Sequence, residues 1–136
     1  MVKGEHTIWT EKYRPQTLEQ YICDEKIKAK MAEFITNQDI PHLLFPGTPG
    51  AGKTTLAWVL AKNIDCDILY LNATEERGMD DIREKVGKFA ASASFKKIKI
   101  VILDEATHLL AASQVLLLNM IETFALKTRF ILTGNY

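Results

Sequence analysis

Eight consecutive residues carry the plainest chemistry in this chain. Gly47-Thr48-Pro49-Gly50-Ala51-Gly52-Lys53-Thr54 reads G-x-x-x-x-G-K-[ST], the spacing of a phosphate-binding loop. The apolar run His42-Leu43-Leu44-Phe45 precedes it and the helix-forming run from Thr55 to Ala61 follows, which is the strand–loop–helix setting the motif requires. Gly50 and Gly52 carry no Cβ, so main-chain N–H groups there can turn inward around an anion. The helix starting at the same point adds its positive end. Lys53 supplies a point charge that reaches the β- and γ-phosphates of a nucleotide, and the Thr54 hydroxyl is a ligand for Mg²⁺.

A second set of polar residues stands at another predicted strand end. Ile100-Val101-Ile102-Leu103-Asp104-Glu105 is an apolar run closed by two carboxylates. A buried parallel strand delivers both acids at its carboxyl end, where ligands sit in an open α/β sheet. Asp104 then faces the Mg²⁺ shell beside Thr54, and Glu105 can take a proton from water aimed at a γ-phosphate. Asn135 follows the last predicted strand, placed either to orient that water or to serve as a polar turn residue.

Elements of alternating kind must position these groups. Helices are expected over residues 25–37, 53–63, 79–91 and 110–124, and strands over 42–46, 67–72, 98–103 and 129–133. Asp24 is a candidate N-cap for the first helix, whose Ile27, Met31, Phe34 and Ile35 fall on one face. In the third helix, Ile82, Val86 and Phe89 point inward. Strands alternating with helices imply an α/β fold: a three-layer P-loop arrangement with a parallel sheet between helices. The 136 residues make a single nucleotide-binding domain, 1–136, ending just after a strand.

Composition narrows the partners. Seventeen basic and 17 acidic side chains cancel, so no global field attracts nucleic acid, and DNA contact needs a local basic face. Cys23 and Cys66 fit no metal spacing and read as ordinary thiols. No signal peptide or apolar span is legible, which implies no membrane partner and an intracellular, cytoplasmic (or host-cytoplasmic) location.

The ordered set Lys12-Tyr13-Arg14-Pro15, phosphate loop, Asp104-Glu105 and Thr133-Gly134-Asn135-Tyr136 resembles the AAA+ sliding-clamp loader ATPase subunits, the replication factor C small subunit and phage clamp-loader family. Pro41-His42-Leu43-Leu44-Phe45 and Asn119-Met120-Ile121-Glu122-Thr123-Phe124 are similar to the phage form. The resemblance implies ATP and Mg²⁺ as cofactors. It places Thr10, Glu11, Lys12, Tyr13 and Ile22 around the adenine. It puts Gly50, Ala51, Gly52, Lys53, Thr54 and Thr55 on the phosphates and Thr54 and Asp104 at Mg²⁺. Glu105 is then the general base, Lys53 neutralises developing charge, and Asn135 is the sensor residue. Implied partners are other clamp-loader subunits, the sliding clamp and primer–template DNA, with Arg83, Lys85 and Lys88 either contacting phosphates or forming a solvated helix face.

The sequence departs from that family at Ala51, at Ala106-Thr107 and at Leu118, where arginine is frequent. The resemblance also implies a fifth strand, a lid and an arginine acting on a neighbour's nucleotide, none of which falls within these residues. Without the fifth strand, the strand at Leu43 to Phe45 is expected to be an exposed sheet edge. An arginine supplied in trans is worth roughly 10³–10⁵ in rate. The alternative expectation is therefore a chain that folds and binds nucleotide while hydrolysing little. A kinase or helicase core is disfavoured: no acceptor pocket is legible, and the Lys12-Tyr13-Arg14-Pro15 start points elsewhere.

The last helix stands apart. Leu109, Leu110, Val115, Leu116, Leu117, Leu118, Met120 and Ile121 cannot share one face at about 100° per residue. An all-round apolar helix is buried on both sides, which points to self-association through residues 109–121 or to a wide core stripe.

Overall fold

The computed structural model describes residues 25–46, 52–76 and 78–134. In chain order the elements are α1 (Glu25–Asn37), β1 (Leu43–Pro46), α2 (Lys53–Lys62), β2 (Cys66–Asn72), α3 (Met79–Ala91), β3 (Ile98–Asp104), a single 3₁₀ turn (Ala106–His108), α4 (Ala111–Thr123) and β4 (Thr128–Gly134). The expected helices and strands are all present, displaced by a residue or so at their ends. The 3₁₀ turn is an addition. The N-cap role of Asp24 lies outside the described residues.

The strands form one parallel sheet in the order β1-β4-β3-β2. Period-two alternation splits β3 between two cores. Ile98, Ile100 and Ile102 face α1 and α2 together with Ile131. Val101 and Leu103 face α3 and α4 together with Phe130. This is the α/β/α sandwich that a near-continuous apolar strand requires, because both of its faces are covered. Among the described residues β1 pairs only with β4, and Leu44 on it is exposed.

One position differs from the sequence expectations. Ile27 is 45% exposed rather than inward, since α1 rests on α2 and buries only Met31 and Phe34. Lys99, an interruption in an apolar strand, is itself buried. Its ammonium donates to the carbonyls of Phe89, Ala90 and Ser92 and to Ser92 Oγ. A cation thus closes the carbonyl end of α3, where the helix dipole favours positive charge. In α4 only Leu117 and Met120 are buried, while Leu110, Val115, Leu116 and Leu118 remain exposed. One stripe of the helix reaches the core and the other is largely exposed.

Two side chains tie the far end of the sheet. Gln38, at φ 53°, donates to the carbonyls of Ile35 and Asn63 and accepts from the Asp65 N–H. Arg129 donates to Asp39 and to the carbonyls of Ile40 and Ala125. These bonds join α1, α2 and β4 at the amino end of β1 and β4, opposite the carboxyl edge of the sheet.

Candidate nucleotide site

Parallel order puts the C-terminal ends of β1, β3 and β4 on one edge, beside the start of α2. Gly52 precedes α2 at φ 82°, ψ 16°, a left-handed conformation that glycine adopts without a Cβ clash. Its carbonyl accepts the Leu56 N–H at 2.9 Å, the first bond of the helix. Lys53, Thr54 and Thr55 then fall in the first turn, all partly exposed. The loop residues 47–51, including Gly50 and Ala51, lie outside the described residues. So do Thr10, Glu11, Lys12, Tyr13, Ile22 and Asn135.

Asp104 is the hub. The last residue of β3 is 8% exposed and accepts three hydroxyl hydrogen bonds. Thr54 Oγ1 donates to Oδ1 at 2.9 Å, Tyr70 Oη donates to Oδ2 at 2.7 Å, and Thr133 Oγ1 donates to Oδ1. The strands bring these groups together. Asn72 is the β-ladder partner of Asp104, and Tyr70 and Thr133 lie on the face of the sheet that α2 covers. Burial first, and then the carboxylate beside it, hold the Tyr70 phenol well above its ordinary pKa, so it remains a donor.

Glu105 follows at φ 59°, ψ 41°, left-handed for a residue with a side chain, a backbone placement that costs about 1–2 kcal/mol and collects at functional sites. Its N–H donates to Thr133 Oγ1 at 3.0 Å. Thr133 therefore holds both acids at once, through the side chain of one and the backbone of the other. The Glu105 carboxylate is half-exposed, with Oε2 3.7 Å from His108 Nε2. At the mouth of β4, a Cβ placed on Gly134 would run into Cγ2 and Oγ1 of Thr107. Gly134 is thus required by close approach.

The oxygens of Thr54 and Asp104 fit Mg²⁺. They are hard donors 2.9 Å apart, near the spacing of adjacent vertices in an octahedron with bonds of about 2.1 Å. Among the described residues no three His, Cys, Asp or Glu side chains gather at a metal-sized site.

Tyr70 and His108 escaped sequence reasoning, and Thr133 entered it only as part of the Thr133-Gly134-Asn135-Tyr136 motif, with no role of its own. His108 lies just past the acid pair, and Tyr70 reads as one more apolar strand residue. On the third helix Lys85 pairs with Glu76 at 2.8 Å and Lys88 with Glu84 at 3.4 Å, and both lysines keep much of their side chain exposed. Arg83 is exposed.

The sequence family described as the Holliday junction DNA helicase RuvB P-loop domain matches residues 13–134. The chain belongs to this P-loop domain family. Its likeness extends to replication factor C small subunits. It is 44% identical to replication factor C small subunit 2 of Pyrobaculum arsenaticum, over 95% of this chain and 42% of that one. It is 43% identical to replication factor C small subunit of Staphylothermus marinus, over 95% and 41%. The chain spans about two-fifths of the length of these relatives. In three dimensions it is similar to the Thermotoga maritima RuvB Holliday junction branch migration motor, with TM-score 0.66, 26% identity, and 90% of this chain and 41% of that one covered. Caenorhabditis elegans PCH-2, at TM-score 0.65 and 18% identity over 85% of this chain and 39% of that one, shares the fold alone. The P-loop domain is thus of the AAA+ class, a nucleotide-binding architecture. Among the described residues no helix is long and apolar enough to cross a membrane.

Proposed function

We propose that this chain is the ATP-binding and ATP-hydrolysing module of a DNA sliding-clamp loader. One observation carries the nucleotide reading: the Thr54 hydroxyl and the Asp104 carboxylate meet at the carboxyl edge of the sheet, beside the first turn of α2. The identity to replication factor C small subunits supports the clamp-loader assignment. In this reading Gly50 to Thr55 hold the phosphates and Lys53 neutralises their charge. Thr54 and Asp104 hold Mg²⁺, which polarises the phosphate oxygens when bound. Glu105 accepts a proton from the attacking water, and Asn135 orients that water. Residues 10–13 and Ile22 border the base. Positioning and charge neutralisation, rather than covalent chemistry, lower the barrier.

Partners in this reading are clamp-loader subunits, the sliding clamp and primer–template DNA. Arg83, on the exposed face of α3, is the candidate phosphate contact, and its contribution would appear as a salt-dependent affinity. The uncovered side of α4 is where a neighbouring subunit or a second copy of the chain would sit, and a scattering mass distinguishes the two. Turnover by the chain by itself is slow in this reading, because the arginine that reaches a neighbour's nucleotide comes from another subunit.

Binding of a fluorescent ATP analogue to the purified chain, with turnover measured in parallel, tests the proposal. Lys53→Ala is expected to abolish binding with the fold retained, and Glu105→Gln to keep binding and remove residual turnover. Unchanged affinity in the first variant, or wild-type turnover in the second, overturns the corresponding role.

A further inference from the structure

The nucleotide reading uses Thr54 and Asp104 but leaves Tyr70 without a task. Tyr70 lies on β2, a strand that contributes no residue to the phosphate loop or the acid pair, yet its side chain touches both elements that carry them. Its hydroxyl donates to Asp104 Oδ2 at 2.7 Å. Its ring stacks on Trp58 of α2, with centroids 5.6 Å apart and planes 28° from parallel. Trp58 lies four residues after Thr54, one turn further along the same face of the helix. One turn beyond that, Lys62 sets its ammonium 5.7 Å from the Trp58 ring centroid. The stack is therefore clamped on its helix side as well.

The division of labour at the carboxylate is what gives Tyr70 its role. Among the described residues both threonine hydroxyls, Thr54 and Thr133, donate to Oδ1, and only Tyr70 donates to Oδ2. The terminal torsion of an aspartate is soft. Held at one oxygen only, the carboxylate can swing about that anchor. Held at both, it has one orientation. We propose that Tyr70 is a positioning residue for the metal end of the site, fixing the Asp104 carboxylate through Oδ2 while its ring on Trp58 keeps β3 and α2 in step. This rests on the assignment of Thr54 and Asp104 to Mg²⁺ made above. Groups that orient a metal ligand in this way typically change metal affinity 10- to 100-fold when removed.

The test is a Mg²⁺ titration of fluorescent-ATP binding by the full chain, run beside nucleotide binding in EDTA. Tyr70→Phe keeps the ring and its stack and deletes only the hydroxyl. It is expected to raise the Mg²⁺ midpoint about tenfold while leaving affinity in EDTA within about twofold and the circular dichroism unchanged. Mn²⁺ binding followed by electron paramagnetic resonance in the presence of nucleotide should weaken by the same factor. A merely structural role would depress both affinities together. A wild-type midpoint in Tyr70→Phe, or equal losses with and without metal, overturns the role of Tyr70 and leaves the site standing. A wild-type chain that binds no nucleotide overturns the site assignment and this inference with it.

Discussion

The Thr54 hydroxyl reaches Asp104 Oδ1 at 2.9 Å, joining the first turn of α2 to the last residue of β3. The bond spans 50 residues of sequence, and only the sheet order makes it possible. With β4 between β1 and β3, the helix leaving β1 crosses directly over the end of β3.

That contact predicts a graded response at position 54. Thr54→Ser preserves the hydroxyl and is expected to bind nucleotide with the Mg²⁺ dependence of the wild type. Thr54→Ala removes the hydroxyl proposed as a Mg²⁺ ligand and should lose roughly tenfold or more of the Mg²⁺-dependent affinity, with binding in EDTA nearly unchanged. Fluorescent-nucleotide titrations with and without Mg²⁺ check this, and identical behaviour of the two variants would remove Thr54 from the metal shell.

Lys99 predicts a stability effect remote from the site. Its ammonium is the partner of the last carbonyls of α3 and lies 5.4 Å from the Phe89 ring centroid. Lys99→Met retains the length and apolar stem but takes the ammonium from the carbonyls of Ala90 and Ser92, while the Phe89 carbonyl keeps the Ser92 N–H and hydroxyl. Hydrogen bonds to a charged group are worth about 1.5–3 kcal/mol and these carbonyls recover part of that from water, so the expected loss is roughly 1–2 kcal/mol. A shift of the urea midpoint at constant slope measures it, and a loss below about 0.5 kcal/mol would refute the capping role.

Gly134 and Thr107 should behave as a coupled pair. Gly134→Ala drives a methyl into the Thr107 side chain, and overpacking of this kind costs about 1–3 kcal/mol. Thr107→Gly in the same chain clears the space. A double-mutant cycle is therefore expected to return a coupling of at least about 1 kcal/mol. Simple additivity of the two substitutions would show that the Thr107 side chain turns away at no cost.

Cys66 predicts a pH effect with a definite sign. Burial, then Asp67 and Asp65, push its thiol up to about 11, and the thiol donates to the Ala61 carbonyl. At pH 8 the thiolate fraction is then roughly a hundredfold below that of an ordinary thiol, so alkylation should be slower by about that factor until the chain unfolds. Because the unfolded thiol gives up its proton first, stability falls as pH rises from the unfolded value of about 9 towards 11. Iodoacetamide labelling mapped to the Cys66 peptide measures the first effect. Rapid labelling in the native state would contradict it.

Much of this architecture was legible because the signals are local. The helices and strands announced themselves through apolar periodicity and through breaks at Pro41 and the glycines. Glycine spacing and the apolar run ending in Asp104-Glu105 marked the two polar ends before any coordinates. What stayed hidden depends on neighbours distant in sequence. Lys99 sits within an apolar strand, and nothing local shows that α3 ends beside it. Ile27 read as core because periodicity describes a face without saying how far the surface beneath it extends. The leucines of α4 show the same limit from the other side: composition states that the helix is apolar all round, whereas only packing decides which stripe is covered.

Sequence alone determined the kinds of element, their order, and the presence of a phosphate loop and an acid pair, since backbone preference and side-chain chemistry are properties of short segments. Tertiary structure alone decided that Tyr70, Thr54 and Thr133 converge on a single carboxylate. Hydrogen bonds of that sort require groups on four separate elements to reach within about 3 Å of one another. No local rule specifies such a meeting; the register of the parallel strands and the crossing of α2 over them do.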